Sequence, residues 1–253
     1  MARVDLLVGG VAVFGGLLSA GWAADWIPAP VTGAAALGAG LALVGAVAVG
    51  SMAPSLQLFG PAICRGPAGP RVSLTFDDGP DPRSTEALCD ALDVRGMRAT
   101  FFLLADRAEQ HPALVRRVAR SHEVALHGPS HDPRLTLLSP EEGARRLIVA
   151  RDRLADLAGT AVRWFRPPFG ATSPRLAAAV ARTGLVLVWC SVRTRDGVRV
   201  SDATLRARCR RIGPGDIALL HEGDRPAPRV LPAIVDDLVA RGLRSVTVGE
   251  LLA

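Results

Sequence analysis

The hydrophobic positions of this chain fall into two regimes. Through residue 53 they run almost unbroken: residues 6–24 and 31–53 contain no charged side chain. Each stretch is long enough to cross a hydrocarbon core of about 30 Å as a helix. Between them stand Asp25, Trp26, Pro28 and Pro30, a polar turn with an interfacial aromatic, and Trp22 sits near the end of the first stretch. The pattern predicts a transmembrane helical hairpin over residues 1–53. One competing reading is a cleaved signal peptide, against which Arg3 offset by Asp5 and the second apolar stretch speak; the other is a second, Ala/Gly-rich stretch that is only marginally inserted. Arg3, Arg65 and Arg71 flank the two stretches, and the turn between them has no basic residue. The excess of cytoplasmic arginine then places both ends of the hairpin in the cytoplasm. Residues 54–70 hold four prolines and three glycines and read as a linker.

From Arg71 the apolar runs become short and alternate with helical periodicity. Strands are expected over residues 71–76, 99–104, 123–126, 162–165, 185–190, 216–220 and 244–247. Helices are expected over 84–94, 112–121, 139–157, 173–183, 201–211 and 230–241, with a last turn over 248–252. Ser84 or Thr85 stands where an N-cap belongs and Gly96 where that helix stops, and Ser139-Pro140-Glu141-Glu142 opens the longest helix with acids in its first turn. Strand–helix alternation of this kind implies a parallel α/β sheet, open or closed into a barrel. Residues 71–253 are therefore one domain behind the hairpin and linker.

Composition changes this picture little. The 253 residues are 49% hydrophobic with a formal charge of +6, and every basic side chain is Arg. No basic run interleaved with aromatics points to nucleic acid. Cys64, Cys89, Cys190 and Cys209 form no C-x-x-C pair and read as core residues.

The polar residues carry more information. Asp77 and Asp78 end the first strand before a Gly79-Pro80 turn, His127 and His131 follow the third, and Arg166, Asp196 and His221 follow later ones. In a parallel barrel all those strand ends share one face, where such folds place chemistry. Asp-Gly-Pro alone is ordinary turn chemistry. Two imidazoles four residues apart, joined by a carboxylate, make a His₂-Asp metal site with open positions. The absence of Glu after His127 excludes the H-E-x-x-H pattern, so a base must come from elsewhere, with Asp77 the obvious candidate.

Thr75-Phe76-Asp77-Asp78-Gly79-Pro80, the His127/His131 pair, Arg166-Pro167-Pro168-Phe169-Gly170 and Leu219-Leu220-His221 resemble, in order, the motifs of polysaccharide deacetylases, the NodB-homology enzymes of carbohydrate esterase family 4. The resemblance spans residues 71–253. It implies a deformed (β/α) barrel and metal-dependent hydrolysis of an N-acetyl or related acyl group on an amino sugar. By the same resemblance, Asp78, His127 and His131 bind one divalent ion, most often Zn²⁺, and Asp77 is the base toward the attacking water. Arg166 orients Asp77. His221 is the acid toward the leaving amine, with Asp196 keeping it protonated. The Phe169 N–H donates to the oxyanion, Leu219 lines the acyl pocket and Pro167 borders the substrate.

Three positions depart from the family pattern. Gly128 stands where Ser or Thr follows the first histidine, Arg193-Thr194-Arg195-Asp196-Gly197 replaces Asp-x-x-Asp-Trp, and Glu222 stands where Asp is common. Without that Trp, one wall of the usual substrate groove is lost. With a membrane hairpin, the expected substrate is a cell-wall glycan or a lipid-linked amino sugar. Arg193 and Arg195 suit a phosphate-bearing one. The alternative is a non-catalytic, membrane-anchored glycan-binding domain on the same fold.

Overall fold

In a computed structural model, residues 54–253 are described, with residues 37–42, 45, 47 and 49–51 ahead of them. The hairpin predicted over residues 1–53 lies largely outside the described residues. Those described between 37 and 51 are helical, and among the described residues no helix is long and apolar enough to cross a membrane.

Eight strands form one curled sheet: β1 (Arg71–Gly79), β2 (Ala99–Leu104), β3 (Glu123–Gly128), β4 (Trp164–Phe165), β5 (Val186–Leu187), β6 (Val192–Arg193), β7 (Ile217–His221) and β8 (Arg244–Ser245). Their order is β5-β4-β3-β2-β1-β7-β6, with β8 on the N-terminal end of β1, and every pairing is parallel. The helices are α1 (Thr85–Asp93), α2 (Ala105–Gln110), α3 (Pro112–Ser121), α4 (Pro140–Ala158), α5 (Pro174–Val180), α6 (Asp202–Cys209), α7 (Ala227–Ala240) and α8 (Val248–Leu252).

Strand alternation sorts the core into two layers. Val72, Leu74 and Phe76 of β1 face outward and pack with Leu88, Cys89 and Leu92 of α1. Ser73, Thr75 and Asp77 take the other face, inside the curl, where Phe102, Trp189 and Leu219 form a second buried cluster. Buried on both faces, β1 reads as a nearly continuous run, as central parallel strands do. The helices begin where hydroxyls can cap them. Ser139, Ser173 and Ser201 accept from the N–H of Glu142, Leu176 and Thr204, and Thr247 with Glu250 forms a capping box.

The curl is a half-barrel whose two edges, β5 and β6, are consecutive in sequence. The segment expected to be a linker runs from the end of β5 to the start of β7. Ile63 pairs with Val188 in parallel and Arg65 with Asp216 in antiparallel fashion, while Phe59 is buried. Residues 59–66 thus belong to the packed unit, and a boundary at Arg71 falls inside it. Short-range composition conceals this, because the partners are more than a hundred residues away. Ser51, at the end of the described helical residues, accepts a backbone hydrogen bond from Thr172 N at 2.9 Å.

Other differences are local. Helix α2 was not expected: it follows Leu104 directly, with no capping side chain to announce it. Strands β4 and β5 are two residues each, shorter than the expected 162–165 and 185–190, and β6 was not expected at all. Helix α7 starts at Ala227 rather than 230, because Pro228 is tolerated in a first turn that needs no internal N–H donor.

Candidate active site

At the C-terminal end of the sheet, β1 closes in an unusual backbone. Asp78 has φ +71, a left-handed conformation that a β-carbon disfavours and that Asp tolerates better than most residues. Arg107, on α2, donates to the Asp78 carbonyl at 2.6 Å and holds the turn in place. The bend aims Asp77 and Asp78 in different directions. Asp78 meets the histidines: its Oδ1 lies 3.4 Å from His127 Nε2 and 3.3 Å from His131 Nε2.

The three donor atoms of Asp78, His127 and His131 all lie within 4.8 Å of one another. His127 is the last residue but one of β3, one step inside the strand rather than beyond it, and is buried. Its Nδ1 lies 2.9 Å from the Arg166 carbonyl, which can only accept, so Nδ1 carries the proton and Nε2 presents a lone pair. Asp78 Oδ1 is buried and has no hydrogen-bond partner. An orphaned carboxylate oxygen facing two imidazole nitrogens is the donor set a divalent cation of the zinc class requires. Burial works against the charge of Asp78, but His127, His221 and His131 around it prevail and hold its pKa well below the usual carboxylate range. Burial lowers the pKa of His131 despite the pull of Asp78, which favours the neutral, ligating imidazole.

Asp77 turns the other way. Its Oδ1 accepts from Arg166 Nη1 at 2.7 Å. Arg166 is wholly buried; it also donates to Thr75 Oγ1, Val188 O and Trp189 O, and its guanidinium lies 4.0 Å over the Phe102 ring. Across the sheet, Asp77 is in register with His221 of β7. His221 Nδ1 lies 2.7 Å from Asp196 Oδ1, and Asp196 Oδ2 accepts from the His221 backbone N–H. Thr194 Oγ1 supports Asp196 at 2.8 Å. Burial disfavours the imidazolium of His221, but the Asp196 hydrogen bond and charge, with Asp77 and Asp78 beyond, raise its pKa above the ordinary histidine value.

The remaining expected residues lie beside these groups. Pro167 caps a tight turn over Pro168–Gly170, in which Phe169 stands at φ +59, 51% exposed, with its ring centroid 4.0 Å from that of His131. Leu219 is buried on the inner face, two residues before His221.

The departures acquire physical content. Gly128 has φ +120, and a β-carbon there would press on Pro168 Cγ at 3.1 Å, so the small residue is required by the backbone. A β-carbon on Gly197 would stand 3.0 Å from the His221 ring, so the missing side chain leaves that ring tightly backed by main chain. Glu222 is wholly enclosed behind Gly79, where a β-carbon would collide with its Oε1. It pairs with Thr85 Oγ1 through Oε2, while Oε1 has no partner. Burial pushes its carboxyl up to about 8. Arg107, Thr75 and Thr194 were not foreseen. The alternation of β1 could have flagged Thr75, whereas Arg107 sits on a helix the sequence does not announce.

Comparison with known proteins places this arrangement. Residues 65–188 match the family model described as polysaccharide deacetylase. A chitooligosaccharide deacetylase of Sinorhizobium fredii is 38% identical over 164 residues, covering 64% of this chain and 76% of that protein. A peptidoglycan-N-acetylglucosamine deacetylase of Bacillus cereus is 33% identical over 184 residues, covering 70% of this chain but only 66% of its own length. Among solved structures, a mutant of the family 4 pseudoenzyme BA3943 with restored enzymatic activity superimposes with a TM-score of 0.70 at 26% identity, over 76% of this chain and 71% of that one.

Proposed function

The chain belongs to the polysaccharide deacetylase family, and from that premise we propose that it removes the N-acetyl or related acyl group from an amino-sugar glycan in a metal-dependent reaction. The curated relatives that it matches are deacetylases, hydrolases of carbon–nitrogen bonds other than peptide bonds. One observation carries the rest: Asp78 Oδ1, buried and without a hydrogen bond, faces the Nε2 atoms of His127 and His131 between two preorganised pairs, Asp77–Arg166 and His221–Asp196.

Asp78, His127 and His131 would hold the ion, with zinc the best match to two imidazoles and a carboxylate. When bound, a divalent ion supplies Lewis acidity, lowering the pKa of water and polarising the acyl carbonyl. The chain's own residues do the proton work. Asp77 Oδ2, not engaged by Arg166, accepts a proton from the water that attacks the carbonyl carbon. Arg166 keeps that carboxylate fixed and spends no reorganisation during the step. The backbone N–H of Phe169 donates to the carbonyl oxygen as it gains charge, with Pro167 and Leu219 placing the acyl group. His221, its Nδ1–H held by Asp196, delivers the Nε2 proton to the departing nitrogen as the carbon–nitrogen bond breaks. The products are an amine and a carboxylate.

The site is proposed to work at a membrane. The uncharged residues 6–24 and 31–53 supply the anchor, with the catalytic domain on the cytoplasmic face by the flanking arginines. A substrate on a lipid carrier fits that side and a cell-wall glycan the other. Cysteine accessibility of the C-terminus in intact cells separates the two.

The likeness to a pseudoenzyme of this fold makes a non-catalytic glycan-binding domain the second reading. Acetate release from N-acetylated chitooligosaccharides, measured with zinc and after chelation, decides between them. Release that depends on the ion supports the hydrolase, with Asp77→Asn lowering turnover about 10²–10⁴-fold while the protein still binds one ion. Undiminished activity in that variant would remove Asp77 from the role of base.

A further inference from the structure

Two cations at the mouth of the site have no carboxylate. Arg193 and Arg195 are exposed, flank the buried Thr194, and among the described residues neither has an acidic partner. Arg193 is the better placed. It ends β6 in register with Leu219 of β7. Its neighbour Val192 packs outward with the helix-side core, so strand alternation turns Arg193 to the inner face, the face of Leu219 and His221. There its guanidinium lies over the Trp189 ring, 5.2 Å from the centroid. Trp189 itself is 3% exposed and locked, since Gly170 leaves its ring no more room than a hydrogen atom requires: a β-carbon there would sit 2.1 Å from it. Arg208 fixes the loop behind by donating to Thr194 O at 2.7 Å.

A guanidinium drawn to an indole by cation–π attraction spends none of its N–H groups on that contact, and they remain available as a fork that matches an oxyanion. Around the reaction centre Asp77 is matched by Arg166 and Asp196 by His221, Asp78 faces the two histidines, and Arg107 is engaged by the Asp78 carbonyl. We propose that Arg193, on its Trp189 platform, forms a subsite that reads an oxyanion, phosphate or carboxylate, carried by the amino sugar close to its acylated nitrogen. The inference rests on the deacetylase reading for the orientation of the sugar, and it makes this an enzyme for charged rather than neutral amino sugars.

The test is binding to the full chain, so that it stands apart from turnover. N-acetylglucosamine, N-acetylglucosamine 1-phosphate and N-acetylmuramic acid are titrated at low and high ionic strength, with Trp fluorescence as the readout. At low ionic strength the charged sugars bind about tenfold tighter than the neutral one or more, as one hydrogen bond to a charged group gives, and salt erodes the difference. Arg193→Gln collapses the ratio, whereas Arg116→Gln, an exposed arginine on α3, leaves it in place. The phosphate and carboxylate arms identify which oxyanion is preferred, and a preference for either supports the subsite. Equal binding of all three sugars by the native chain, or an unchanged ratio in Arg193→Gln, overturns it. Failure of every sugar to release acetate with zinc present overturns the deacetylase reading instead and leaves the binding ratio to be judged by itself.

Discussion

Arg166 Nη1 lies 2.7 Å from Asp77 Oδ1 with neither side chain more than 4% exposed. A buried cation compensated by a single carboxylate binds the two residues to a common fate. Removing one leaves the other charged, enclosed and alone, which costs far more than a surface pair does. Arg166→Met is expected to destabilise the fold by about 3–5 kcal/mol, whereas Asp77→Asn, which keeps an oxygen acceptor for Arg166, costs less. Urea midpoints of the two variants check this, and equal midpoints would deny the pair its structural weight.

His221 works as an acid only while protonated, and Asp196 lifts its pKa above the ordinary value. Activity therefore falls as pH rises through that elevated pKa. Asp196→Asn removes the counter-charge, so the alkaline limb of kcat/KM moves to lower pH, by about one to two units if the charged hydrogen bond is worth 1.5–3 kcal/mol. An alkaline limb that stays where it was would assign the acid to another group.

Removing one of the three convergent donors has a distinct signature. His131→Ala is expected to weaken zinc binding by more than about 100-fold, since even outer partners of metal ligands are worth about 10–100-fold. Competition against a chromophoric chelator measures it. The fold is expected to survive, because His131 lies at the surface end of the cluster with its side chain 35% exposed.

Glu222 ties stability to pH. Its carboxyl pKa is about 8 in the fold against an ordinary 4.5. Between those values the folded chain holds a proton that the unfolded chain has lost, so stability falls as pH rises through the window. Glu222→Gln removes the dependence. Its Tm relative to the native chain should climb from pH 5 to pH 8, by about 2–4 °C for each kcal/mol gained. A Tm difference constant with pH would show that Glu222 is not buried as a neutral acid.

Much of this arrangement was legible before the structure. Each polar residue of the site follows a short apolar run, and β1, β2, β3 and β7 are long enough for that pattern to place Asp77, His127 and His221 at one end of a sheet. What was not legible depends on distant partners. Strands β4, β5 and β6 are two residues each and exist only through their pairings. Helix α2, which brings Arg107 to Asp78, has no cap to announce it. The space that a side chain at position 128 would need is taken by Pro168, forty residues on.

The pairing of Ile63 with Val188 turns an apparent linker into a stave. Val188 and Trp189 are the residues whose carbonyls hold Arg166, and Trp189 N donates to Ile63 O at 2.7 Å. A chain begun at Arg71 would retain every proposed catalytic side chain and still lose the hoop that keeps two of Arg166's acceptors in position. The proton-accepting geometry at Asp77 is therefore fastened, through one buried guanidinium, to a segment that precedes the sheet altogether.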